Sequence, residues 1–144
     1  MTTSNDSIPW RGGAEIAGRL GVARGGRALL IDAPTALASA IEAASAEAPL
    51  AVADQDLRAV KELFATVFLW HESRVGSRAA IDAARKRLEP GGRLWIGTAL
   101  KKVRGPRTPA VHRLERGDLE KAIGRKSDAE VRLSAWHVAY GFRV

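Results

Sequence analysis

The chain of 144 residues contains no cysteine. Disulfide bonds, thiolate metal ligands and a cysteine nucleophile are therefore excluded. Its three histidines, His71, His112 and His137, are far apart and show no spacing typical of metal ligands, so no metal site is predicted. No apolar run approaches the roughly twenty residues that cross a bilayer, and the N-terminus lacks the basic and then apolar order of a secretory signal. These absences predict a cytoplasmic protein that contacts no membrane.

Common catalytic and phosphate-binding motifs are also missing. No Gly-x-Ser-x-Gly elbow occurs in the sequence. The glycine-rich segment 21–27 comes before an apolar run, whereas a phosphate-binding loop follows a strand and ends in Lys-Ser or Lys-Thr. We therefore interpret segment 21–27 as a turn.

Segments with helical and strand patterns alternate along the chain. Apolar spacing of three to four predicts helices at 15–20, 36–44, 77–88 and 118–123, with one helical turn near Leu57. Apolar runs predict strands at 28–31, 50–53, 64–70 and 94–96, and alternating residues at 131–133 and 138–144 predict an antiparallel hairpin. Such alternation implies a mainly parallel sheet covered by helices on both faces. The sequence thus predicts an α/β fold, a compact Rossmann-like three-layer sandwich whose mainly parallel sheet ends in an antiparallel hairpin.

The run from Leu88 to Ile96 is the most informative stretch for the fold. Pro90 cannot continue a helix, and Gly91 and Gly92 permit the positive φ angles of a sharp reversal. This run predicts that a helix closes, the chain turns and a buried strand begins at Leu94.

Length and polarity set the expected domain organisation. The polar start of the chain predicts a flexible N-terminus over residues 1–12. Residues 13–144 are expected to form one α/β domain, which is large enough to bury about two-thirds of its unfolded surface.

Positive charge is concentrated in the middle of the chain. The net charge is +7, and residues 74–113 carry 11 Lys and Arg against 2 Asp and Glu. The densest loop follows the fourth strand and offers Lys101, Lys102, Arg104 and Arg107 as candidate anion-binding residues. The alternative is an exposed loop in which surplus charge is simply solvated.

The order of these elements, the Pro-Gly-Gly turn and the closing hairpin resemble a class I S-adenosylmethionine-dependent methyltransferase fold. More narrowly, segments 16–22, 27–34 and 94–102 are similar to a small bacterial methyltransferase-like family of unknown function. The resemblance spans about residues 13–144. It implies S-adenosylmethionine as the candidate cofactor and an acidic residue after the second strand that holds a ribose, a position taken here by Asp54. An ordinary turn aspartate is the alternative interpretation of Asp54.

Three features depart from that family pattern. The loop after the first strand reads Asp32-Ala33-Pro34-Thr35-Ala36, without the glycines that let a backbone approach a cofactor. Too few residues connect the second strand to Phe64 for a helix-strand-helix insertion, so one strand of the full fold is expected to be missing. Residues 70–72 stand where amino-group methyltransferases place an Asn/Asp-Pro-Pro-aromatic signature. Whether the chain binds S-adenosylmethionine therefore stays open, and these departures argue against methyl transfer.

Independently of the resemblance, open parallel sheets bind ligands where their strands end. If the first and third strands are adjacent, the crevice is lined by Asp32, Ala33 and Pro34 on one side and by Trp70, His71 and Glu72 on the other, with Thr98 and Lys101 nearby.

Each side chain of this crevice has a proposed role and an ordinary alternative. Asp32 or Asp54 would hold a hydroxyl-bearing ligand, and Trp70 would stack on it. His71 would accept a proton as the candidate catalytic residue. Alternatively, Trp70 closes the core, and His71 caps the following helix or faces solvent.

Two classes of function follow. In the first, a methyltransferase-like domain binds a small, nucleoside-containing ligand at the strand ends, with or without turnover. In the second, a binding protein uses its basic surface for nucleic acid or an acidic protein. The basic loop contains no aromatic residue for base stacking, which favours the first class. Substrate and oligomeric state are not predicted.

Overall fold

The computed structural model describes residues 12–21, 27–72, 76–99 and 114–144. The described α-helices are α1 (Gly13–Leu20), α2 (Thr35–Ala44), α3 (Ser77–Arg85) and α4 (Arg116–Ile123), and a 3-10 helix spans Asp54–Ala59. The described strands are β1 (Ala28–Ile31), β2 (Leu50–Val52), β3 (Phe64–Trp70), β4 (Leu88–Ala99), β5 (Ala129–Arg132) and β6 (His137–Arg143). The expected flexible N-terminus, up to residue 11, and the candidate anion-binding residues Lys101, Lys102, Arg104 and Arg107 lie outside the described residues.

The strands form one sheet in the order β2-β1-β3-β4-β6-β5. Strands β2, β1, β3 and β4 are parallel, whereas β6 is antiparallel to both β4 and β5. This arrangement confirms the predicted α/β fold with a mainly parallel sheet and a closing hairpin. Strands β1 and β3 are neighbours, as the predicted crevice requires.

Alternate strand residues bury the two faces of the sheet separately. On one face, Leu29 and Val67 pack in a cluster with Ile81 of α3 and Leu119 of α4. On the other, Leu30, Phe68 and Trp95 pack in a cluster with Ile16 of α1 and Ile41 of α2. Such runs of apolar residues are expected of strands covered on both sides. The result is the predicted three-layer sandwich. No helix within the described ranges is long and apolar enough to cross a membrane.

A single 3-10 helix connects β2 to β3. The guanidinium of Arg87, which follows α3, donates to the carbonyl oxygens of Leu57 at 2.9 Å and Val60 at 3.0 Å. These bonds satisfy carbonyl oxygens at the end of the 3-10 helix and hold that helix beside α3. As predicted from its length, this connection holds no additional strand.

The join between α3 and β4 differs from the prediction. The helix ends at Arg85 rather than Leu88, and the strand already begins at Leu88. The Arg87 carbonyl accepts the N–H of Phe64 at 2.7 Å, which draws the chain into the sheet early. Leu88 pairs with Phe64 and Arg93 with Thr66, so the Pro-Gly-Gly segment is accommodated as a bulge within β4.

Candidate functional site

Two aspartates meet where β1 and β2 end. Asp32 has a φ of +57°, a conformation that few residues other than glycine adopt and that aspartate tolerates. Its N–H donates to the Val52 carbonyl oxygen, and its Oδ1 accepts the Asp54 N–H, both at 2.9 Å. Both side chains are exposed. The edge where the parallel strands end therefore presents two exposed aspartates, and a backbone N–H holds the carboxylate of Asp32 in place. We call these residues the aspartate pair.

A cavity of about 470 Å³ lies on one side of the aspartate pair, between α2 and β2. We call it the α2 cavity. Asp32 and Glu42 are its charged residues, and small or apolar side chains make up most of the remainder. Its lining is Leu30, Asp32, Ala33, Thr35, Ala38, Ser39, Glu42, Pro49, Ala51, Val52 and Ala53. Apolar walls with a few polar groups are typical of small-molecule sites.

The loop between β1 and α2 borders this cavity but offers few backbone donors. It consists of Asp32, the half-buried Ala33 and the buried Pro34. The N–H of Asp32 is already bonded to Val52, and proline has no N–H. Two of the three loop positions therefore cannot donate to a ligand.

A second cavity, of about 750 Å³, lies on the other side of the aspartate pair. It separates the 3-10 helix from α3, and we call it the α3 cavity. Its lining is Asp54, Leu57, Arg58, His71, Gly76, Ala79, Ala80, Asp82, Ala83, Lys86 and Arg87. The backbone N–H of His71 donates to the Gly97 carbonyl oxygen at 2.9 Å, which fixes the residue just beyond β3. The structure thus brings His71 and Asp54 into one cavity.

Trp70 lies on the opposite side of the sheet from His71. Its ring is 9% exposed and packs in the cluster with α1 and α2. The indole N–H donates to Glu72 Oε2 at 3.0 Å, and the ring centroid lies 5.1 Å from that of His137. This placement matches the core alternative for Trp70, and its contact with a ligand stays a prediction.

His137 begins β6 and was not identified from the sequence. It pairs with Ala99 at the end of β4, which brings it to the same edge of the sheet as Trp70. Its Nδ1 and Ser134 Oγ are 2.9 Å apart, and this hydroxyl oxygen also accepts the Trp136 N–H at 3.0 Å. The pairing of β6 with β4 is the signal that would have revealed His137, because this antiparallel pairing sets the first residue of β6 beside the last residue of β4.

Acidification is expected to destabilise the fold through His137. Burial lowers the pKa of His137 below its usual 6.5, although Glu72 opposes the effect. The unfolded chain therefore binds this proton at a higher pH than the folded chain does. The stability that the neutral His137 contributes is fully present above pH 6.5. It is lost as the pH falls from there to the lowered pKa of His137 in the folded chain. Urea unfolding at a series of pH values should show this slope.

The variant His137→Asn should flatten that slope, even though it also lowers stability at neutral pH by removing the ring contact with Trp70. The hydrogen bond of Arg93 lowers the pKa of Asp128 below 3.8, so loss of that ion pair acts only in a more acidic range. An unchanged slope near pH 6 in the variant would contradict the assignment to His137.

The other predicted positions are less informative. Thr98 is buried, and its Oγ1 has no hydrogen-bond partner among the described residues. The same described ranges contain no group of three His, Cys, Asp or Glu residues that could hold a metal ion. Arg58 and Lys86, which lie in the α3 cavity, belong to no motif and were not identified from the sequence.

Solved structures with the same fold are methyltransferases. A SAM-dependent methyltransferase from Aquifex aeolicus aligns over 98% of this chain and 92% of its own, with a TM-score of 0.66 and 8% identity. N-methyltransferase NodS from Bradyrhizobium japonicum WM9, in complex with S-adenosyl-L-homocysteine, aligns over 90% and 84%, with a TM-score of 0.58 and 19% identity. No protein-family model and no curated protein sequence matches the chain.

These likenesses define the class of the fold. The chain has a methyltransferase-like class I fold, with the mainly parallel sheet and the antiparallel hairpin that its sequence predicted. At such low identities the likeness concerns the fold alone, so activity must be argued from the residues of this chain.

Proposed function

We propose that this methyltransferase-like domain binds a nucleoside-containing ligand at the aspartate pair. The hydrogen bond from the Asp54 N–H to Asp32 Oδ1 carries the proposal, because it holds the exposed Asp32 carboxylate against the backbone of the equally exposed Asp54, where adjacent parallel strands end. Carboxylates accept hydrogen bonds from neighbouring hydroxyls, and a ribose offers two such hydroxyls side by side. Ligands of open α/β sheets bind at this edge.

The shape around the aspartate pair supports a ligand with more than one part. Asp32 lines the α2 cavity and Asp54 lines the α3 cavity, so a ribose at the pair would extend into both. The α2 cavity, which presents polar groups as well as small apolar side chains, suits a nucleobase with its apolar faces and polar edges. One protein of the same fold, NodS, is known in complex with a nucleoside-containing ligand, S-adenosyl-L-homocysteine.

S-adenosylmethionine fits this site only in part. Its nucleoside matches the aspartate pair. Its amino-acid portion would need backbone donors from the loop between β1 and α2, where the Asp32 N–H is occupied and Pro34 has none. We therefore derive no methyl-transfer step. The proposed role of His71 as a proton acceptor and the binding of nucleic acid or acidic protein by the basic loop both stay predictions.

A thermal-shift titration tests the proposal. Adenosine, S-adenosylmethionine, S-adenosylhomocysteine, ATP and NAD would be added separately at low and at high salt. A ligand at a hundred times its Kd stabilises the folded state by about 2.7 kcal/mol, which raises the Tm of a chain this size by roughly 5–10 °C. We expect a shift with adenosine that resists salt, unlike the steep salt dependence of binding to a phosphate backbone.

Asp54→Asn is the decisive variant, since it removes one charge and keeps the backbone N–H. It should weaken adenosine binding about fivefold and thereby remove about a third of the adenosine shift. Asp56→Asn is the matched control, because Asp56 is an exposed acid of the same 3-10 helix that lines neither cavity. No shift with any of the five ligands, or equal losses in the two variants, would contradict the proposal.

A further inference from the structure

Positively charged side chains outnumber negatively charged ones in the lining of the α3 cavity. Neither Arg58 nor Lys86 has an ion-pair partner in the described part of the chain, and both side chains are exposed. Arg87, in contrast, is occupied by the carbonyl oxygens of Leu57 and Val60. The cavity therefore offers two cations for an anion that enters from solvent.

Short side chains keep this cavity open along α3. Ala79, Ala80 and Ala83 form much of its helical wall, and their side chains end at Cβ. Arg58 lies four residues after Asp54 in the 3-10 helix, a rise on the order of 8 Å. Asp54 is thus separated from Arg58 by about the length of a sugar-phosphate unit.

We infer that the α3 cavity binds the 5′-phosphate of a nucleoside phosphate whose ribose contacts Asp54. The inference rests on the proposed nucleoside site and names the class of its ligand. Arg58 and Lys86 would supply charge-assisted hydrogen bonds to the phosphate oxygens. The base of the same ligand would occupy the α2 cavity.

The charge of the cavity separates this ligand class from S-adenosylmethionine. A sulfonium ion would be repelled by Arg58 and Lys86, whereas a phosphate is attracted to both. Asp54 and Asp82 also line the cavity, and their charges oppose the phosphate. Arg87 stands beside them as a third cation, so positive charge exceeds negative charge in the lining. The loop at Pro34 also favours a nucleoside phosphate, because it has few free backbone donors for the amino-acid portion of S-adenosylmethionine.

Calorimetric titration of the intact chain with adenosine, AMP and ADP measures the contribution of the phosphate. We expect ADP to bind about tenfold more tightly than adenosine, since each exposed cation contributes a few-fold. Arg58→Gln and Lys86→Gln should each weaken ADP binding about threefold to fivefold and leave adenosine binding unchanged.

Arg125→Gln is the matched control, because Arg125 is an exposed cation that lies outside the α3 cavity. It should leave the affinity for ADP as it is in the unmodified protein. If adenosine binds and ADP binds no more tightly, or if Arg125→Gln weakens ADP as much as Arg58→Gln does, this inference is wrong and the nucleoside site stands. If none of the three ligands binds, the proposed nucleoside site falls as well.

Discussion

Replacing Gly97 with valine is expected to lower the free energy of unfolding by about 3 kcal/mol. A Cβ at this position would lie 2.7 Å from Phe68 Cζ and 2.8 Å from Trp70 Cε3. Both rings are packed in the cluster between the sheet and α1 and α2, so neither has free space to occupy. Gly97 also accepts the backbone N–H of His71, so its displacement would disturb the edge of the candidate site.

Gly117→Ala is the control for this substitution, because it adds a methyl group where nothing lies within 4 Å. Gly117 is in α4, where alanine is expected to raise stability by about 0.5–1 kcal/mol. Urea unfolding of both variants measures the difference. A Gly97→Val protein as stable as the parent would show that Phe68 and Trp70 are not packed against β4 as described.

The largest loss of ligand binding is expected at Asp32, where two effects can be separated. Asp32→Asn keeps the tolerance for a positive φ and an oxygen for the Asp54 N–H, but removes the charge. We expect it to weaken adenosine binding about tenfold with little change in stability. Asp32→Ala removes the acceptor and strains the backbone, so it should also lower stability by about 1–2 kcal/mol.

Asp32→Gly completes this series. Glycine adopts the +57° conformation without strain, so it should recover part of the stability that alanine loses and none of the binding. Calorimetry with adenosine and urea unfolding would be measured on all three variants. If the affinity for adenosine among the three variants rises and falls with their stability, and not with the presence of the carboxylate, Asp32 has a purely structural role.

The strands were predictable wherever burial alone decides them. The run 28–31 is entirely apolar and the run 64–70 is apolar except for Thr66, and β1 and β3 have those bounds. The start of β4 was not predictable, because Pro90 and Gly91 are typical of a free turn. Whether such a segment turns or bulges depends on a partner strand, here through the bond between the Phe64 N–H and the Arg87 carbonyl oxygen.

Some residues of the candidate site were predictable from the sequence, but their arrangement was not. Asp32 was identified from its position at the end of the first strand and Asp54 from the resemblance to methyltransferases, yet their hydrogen bond depends on the register of β1 with β2. The pairing of β4 with β6 likewise sets His137 beside Trp70. Arg58 and Lys86 are far apart in sequence, and only the packing of the 3-10 helix beside α3 brings them into one cavity.

The amide resonance of Asp54 in a ¹H–¹⁵N correlation spectrum is the most direct reporter of the central claim, because that N–H is bonded to Asp32 inside the proposed site. Adenosine should shift this resonance together with those of neighbouring residues at the strand ends. The same titration with 2′,3′-dideoxyadenosine, which lacks the hydroxyls that the aspartate pair would accept, should leave it nearly unmoved. Equal shifts with both compounds, or shifts confined to another surface, would contradict a ribose site at Asp32 and Asp54.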